Sequence, residues 1–170
     1  MHFVGFVITE QKPSEDVLAK VLHSFRSSRE GGKGHWDWWT LGGRWSGRMI
    51  PLSLDNTVTG GADVPAIEGR LRPLGATHFV TQSDQGVDIV QISNIKEGFA
   101  PYVLIIDGQW HKCDDDARSA LVVQSFNAML GGAPPSDTDE AALARWDEEW
   151  KSLMDHVPAD HWLSVIDFHN

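Results

Sequence analysis

The chain has 170 residues, 41% of them hydrophobic and 22% charged, with 14 Lys and Arg against 24 Asp and Glu and a formal net charge of −10. This length suits one domain with its own core, the apolar content excludes a disordered chain, and the acidity excludes non-specific binding to long nucleic acid. The single cysteine, Cys113, excludes an internal disulfide and any cysteine-based zinc cluster.

The opening MHFVGFVITE has no basic region before its apolar part and meets Glu10 too early for a signal peptide. No apolar run approaches the ~20 residues that a membrane span needs. These features predict a soluble protein of the cytoplasm with no membrane partner.

Residues 3–9, FVGFVIT, form an apolar, β-branched run that predicts a buried strand. Pro13 and Ser14, followed by Glu15 and Asp16 where the helix dipole favours acids, predict a helix start. Val17, Leu18, Val21, Leu22 and Phe25 then recur at helical spacing, and Gly31-Gly32 closes the helix. The segment 35–47, HWDWWTLGGRWSG, with its continuation to Leu52, predicts one or two strands broken by a turn or bulge at Gly42-Gly43. From about 55 to 75, Asn56, Gly60, Gly61, Pro65, Gly69, Pro73 and Gly75 predict a long Gly/Pro-rich loop.

Strands are expected again over 77–82, 87–93 and 100–107, and Asp107-Gly108 predicts a hairpin into Gln109-Trp110-His111. Asp114, Asp115 and Asp116 predict the cap of a helix running through Val122, Phe126 and Leu130 to Gly131-Gly132. A further helix opens at Asp137–Glu140, carries Leu143, Trp146, Trp150 and Leu153 on one face, and stops before Pro158. WLSVIDFH, 162–169, predicts a last strand beside the first, at the middle of the sheet, because both runs are strongly apolar. The order β-α-β-β-β-β-α-α-β lacks regular βαβ alternation. It predicts one α+β domain over 1–170, with an antiparallel or mixed sheet and helices mainly on one face.

Eight tryptophans stand against one tyrosine. Trp38, Trp39 and Trp45, with Gly42, Gly43 and Arg44 among them, suggest a ligand site: indoles stack on a planar ring and a guanidinium grips phosphate or carboxylate. The two glycines would let a ligand or another strand approach the backbone closely. Adjacent Trp38 and Trp39 face opposite sides of a strand, so one at most lines a given pocket. In the structural alternative the tryptophans fill a core and Asp37 pairs with Arg44. A second set is Asp167 and His169, on one face of the last strand, with His35 and Asp37, also two apart. Two histidines and two carboxylates can act as general acid and base, or hold Mn²⁺, Mg²⁺, Zn²⁺ or Fe²⁺.

Asp37-Trp38-Trp39-Thr40-Leu41-Gly42-Gly43-Arg44-Trp45, then Asp107-Gly108-Gln109-Trp110, then the closing Val165-Ile166-Asp167-Phe168-His169 resemble a loose family of small phage and prophage proteins. That family reads acidic–aromatic–aromatic–x–x–Gly–Gly–Arg–Trp early and Asp–x–His late. The resemblance covers three short islands and implies a phage setting, with the protein acting in the cytoplasm of the host cell, and by analogy a protein that blunts host immunity at the level of nucleotide signals.

Three functions follow as expectations. The first is a binder that sequesters a small, nucleotide-like anion through Trp38 or Trp39, Trp45 and Arg44. The second is a phosphodiesterase or nuclease-type hydrolase of small nucleotides, with His35, Asp37, Asp167 and His169 converging and a metal cofactor entering only in this case. The third is a protein-binding inhibitor of a host enzyme. A homo-oligomer or a host protein stays open as partner.

Overall fold

The computed structural model describes residues 2–26, 34–57, 86–130 and 136–169, without the side chains of 125–130. The strand expected at 77–82, the loop beyond residue 57 and the pairs Gly31-Gly32 and Gly131-Gly132 lie outside the described residues.

The chain folds as an α+β domain around a mixed sheet. Its strands are β1 (His2–Thr9), β2 (Trp38–Leu41), β4 (Ile89–Gln91), β6 (Val103–Ile106), β7 (Gln109–Lys112) and β8 (Trp162–His169), while β3 (Ile50–Pro51) and β5 (Ile95–Glu97) form a small second sheet. The order is β2-β8-β1-β6-β7, with β4 also on β8. β8 runs antiparallel to β1 in unbroken register from His2↔His169 to Thr9↔Trp162, and β1 runs parallel to β6. The two most apolar runs therefore hold the centre. Each is buried along its length except at its ends.

Alternation along β1 and β8 splits the core in two. Phe3, Val7, Ile166 and Phe168 meet Leu18, Leu22 and Phe25 on one face. Val4, Phe6, Leu163 and Val165 meet Met49, Val87 and Val90 on the other. Helix α1 (Glu15–Leu22) covers the first face, with Ser14 capping its start by accepting the Val17 amide, and a 3₁₀ turn carries the chain on to Phe25. Helices α2 (Asp115–Leu130) and α3 (Asp137–Met154) pack together over Cys113, Ala117, Ala142 and Trp146, and Leu153 and Met154 reach the second face. Trp146 is buried, and its indole N–H donates to the Pro101 carbonyl at 2.6 Å. Tyr102 touches all three clusters and joins them.

Local chemistry sets the connections. Asp107 and Gly108 both have positive φ, 51° and 70°, the two-residue turn whose twist matches a β6–β7 hairpin. Asp114 accepts the Ala117 amide at 2.7 Å and starts α2. A reciprocal Ser136–Asp139 capping box starts α3. Among the described residues no helix is long and apolar enough to cross a membrane.

Candidate functional site

The Trp-rich segment leaves β2 at Leu41, turns through a 3₁₀ helix at Gly43–Trp45 and re-enters extended structure at Ile50. Gly42 and Gly43 have φ of 68° and 51°, the left-handed region that favours glycine. Close approach is the second reason for them. A Cβ on Gly42 would lie 2.5 Å from Asp88 Oδ2, and one on Gly43 would collide with the side chain of Asp167. The bodies crowding these glycines are thus the protein's own carboxylates.

Both carboxylates are buried, and the loop supplies their donors. Asp167 Oδ2 accepts the Arg44 amide at 3.1 Å; Asp88 accepts the Ser46 hydroxyl at 2.7 Å and the Gly47 amide at 2.9 Å. A buried carboxylate is tolerated only when such donors replace its water. The segment GGRWSG therefore clasps two internal anions.

At the open end of the sheet, His2, Trp38, Asp167 and His169 share one face. His2 Nδ1 lies 2.9 Å from Asp167 Oδ1, and His169 Nδ1 lies 2.8 Å from Asp37 Oδ1. The two imidazoles have centroids 5.1 Å apart; Trp38 stacks on His169 at 5.2 Å with 9° between planes and meets His2 edge-on at 5.1 Å. The first pair is the more sheltered, with side-chain exposures of 12% for His2 and 1% for Asp167 against 29% for His169 and 50% for Asp37. A carboxylate on Nδ1 fixes ring orientation and tautomer and leaves Nε2 as the nitrogen that proton transfer uses.

Three of the residues singled out in the sequence, Asp37, Asp167 and His169, therefore meet. His35 does not join them. The chain bends at Asp37 before β2 begins, so alternation does not extend back to residue 35, and His35 stacks instead on Trp110 at 4.6 Å, on the other face. His2 stands in the cluster in its place. Its position depends on the β1–β8 register, which no local pattern reveals. Asp88 also escaped notice, although a carboxylate inside the apolar run Val87–Val90 was a signal.

Trp39 packs with the first core cluster and Trp45 with the second, which leaves Trp38 as the indole beside the histidines. Asp37 pairs with His169 and not with Arg44. The Arg44 side chain is exposed and forms no ion pair among the described residues, while its backbone sits on Asp167. No group of three or more His, Cys, Asp and Glu side chains is arranged to hold a metal ion among the described residues. Burial and the neighbouring Asp114 push the Cys113 thiol up to about 11, so at neutral pH it is a protonated core residue and no nucleophile. Comparison of the chain with protein-family models, with curated proteins and with solved structures returns no match.

Proposed function

We propose that the His2/His169 end of the sheet is an acid–base site that hydrolyses a phosphate ester bond in a small nucleotide-like anion. The observation that carries this reading is the pair of imidazoles 5.1 Å apart, each with Nδ1 on a carboxylate. Phosphate ester hydrolysis needs one group to take a proton from the attacking water and one to give a proton to the leaving oxygen. Two oriented histidines supply both when one ring takes a proton and the other gives one. Water's oxygen bonds to phosphorus as its proton passes to the neutral ring; the bond from phosphorus to the leaving oxygen breaks as the imidazolium proton passes to that oxygen. Trp38 offers a flat surface for a base, and the Arg44 cation leaves the loop beside Asp167 to meet phosphate charge. Together with the resemblance to phage proteins, this suggests nucleotide immune signals as the substrate class.

The test incubates the purified chain with cyclic di- and trinucleotides and ADP-ribose derivatives, with and without Mn²⁺, and chromatographs the products. We expect a new product peak, lost by about 10²–10⁴-fold in His2→Asn and in His169→Asn. Asp167→Asn should cost more activity than Asp37→Asn, since the buried carboxylate has no water to replace it. If every nucleotide survives intact, hydrolysis is wrong. A nucleotide retained by the protein and released intact on heating would favour sequestration instead, a reading supported by Trp38 and the exposed Arg44 cation.

A further inference from the structure

We infer that the face of the sheet opposite the paired histidines carries a second, independent binding site, for a small molecule with one planar ring and one anionic group. A half-open cavity of about 410 Å³ lies there, between β7, the start of α2 and the chain at Gly34-His35. Small-ligand sites commonly measure about 300–1,000 Å³ and combine flat apolar walls with a few polar groups. This one has both. His35 stacks on Trp110 at 4.6 Å and 15°, and the Trp110 indole also packs on Phe25 at 5.2 Å and Phe168 at 5.4 Å, so this aromatic side of the cavity is held in place by ring contacts.

Tyr102 adds a third ring and a hydroxyl. Burial pushes its phenol up to about 12, so the hydroxyl remains a neutral donor throughout the physiological range. Lys112 and Arg118 stand at the rim against one carboxylate, Asp115. In a chain with a formal net charge of −10, a rim where cations outnumber carboxylates is a local reversal of sign. Lys112 follows Trp110 by two residues on β7, so alternation sends the cation and the indole to the same face. A ring lying against the His35–Trp110 stack in this cavity would thus hold its anionic group toward Lys112 and Arg118. None of this depends on the acid–base reading, because none of these side chains belongs to the paired histidines and carboxylates.

The experiment titrates the full-length His169→Asn variant, in which hydrolysis at the other face is disabled, by calorimetry with three probes: adenosine 5′-monophosphate, indole-3-acetate and inorganic phosphate. We expect saturable one-to-one binding of at least one ring-bearing probe, and inorganic phosphate weaker by roughly tenfold or more. Adding Lys112→Gln and Arg118→Gln, both at exposed positions, should weaken the ring-bearing probe by roughly tenfold while the circular dichroism spectrum shows the fold kept. The inference is overturned if neither ring-bearing probe saturates, if the double glutamine change leaves affinity unchanged, or if phosphate alone binds equally well. A binder lost on His2→Asn and kept in the double glutamine variant would also overturn it, by moving the ligand to the other face.

Discussion

The two faces of the sheet at its His2/His169 end are built from the same kinds of residue and hold them differently. On one face each histidine is gripped through Nδ1 by a carboxylate, and the loop that follows β2 turns its amides inward to satisfy Asp167 and Asp88. On the other, the His35 ring stacks on Trp110 and lies against Phe25, and Lys112, Asp115 and Arg118 line the cavity beside it. Carboxylates fix the tautomers of the first pair of rings, whereas the second face presents ring surface beside a cavity.

That contrast can be broken where the faces share a wall. Phe168 is fully buried between Asp167 and His169 and packs against Phe3, Trp36 and Trp110. Phe168→Ala should cost about 3–5 kcal/mol in urea denaturation and impair both faces together, hydrolysis as well as ring binding. Retention of either property at full strength would show that the faces do not share this support. Gly43→Ala should separate them. A methyl group there combines strain at a φ of 51° with a collision against Asp167, a loss of about 2–4 kcal/mol that falls on the histidine face. Hydrolysis should fall in that variant while the cavity keeps its affinity for a ring-bearing anion; an equal loss of both would deny the separation.

The smallest effect concerns Tyr102 on the cavity side. Its phenol is raised from the ordinary 10.0 to about 12, and the Cys113 thiol from 9.0 to about 11, chiefly by burial. The unfolded chain therefore releases these protons first as pH rises, so their contribution to stability is complete below about pH 9 and is lost between there and about 12. Tyr102→Phe should flatten the upper part of that alkaline limb in a series of thermal melts, and an unchanged slope would contradict the burial argument. At the acid end the sign reverses. The Ala117 amide, with a smaller effect from Arg145, holds the exposed Asp114 carboxyl below its ordinary value, so its small contribution is present at neutral pH and lost as acid protonates it.

Most of the architecture was legible in the sequence because it is written in local patterns. The apolar runs at 3–9 and 162–169 are long and β-branched, and Ser14, Asp114 and Asp107-Gly108 carry the chemistry of caps and turns. The site was legible in part. Asp167 and His169 share a face because alternation holds along β8, but the same rule fails for His35 and Asp37, where the chain is not yet a strand. His2 and Asp88 depend on pairings between residues far apart in sequence, and no spacing of two or four residues records these. The sequence suggested Gly42 and Gly43 as a place where a ligand or another strand approaches the backbone. That the approaching groups are the protein's own carboxylates follows only from the β2–β8 register and the position of Asp88 beside β8.

The central position of β8 has a consequence for how the chain comes off the ribosome. His2 and Asp167 are 165 positions apart, so the first strand made finds its antiparallel neighbour only after nearly everything between them has been synthesised. Until then β1 has β6 on one side, and the backbone groups of its other edge stay open to any strand that passes, with the apolar side chains of Phe3, Phe6 and Val7 uncovered by β8. Closure of the long β1–β8 loop also makes folding slow for a domain of this size. Nascent chains stopped short of Trp162 should therefore be the species that chaperones hold and that aggregates capture.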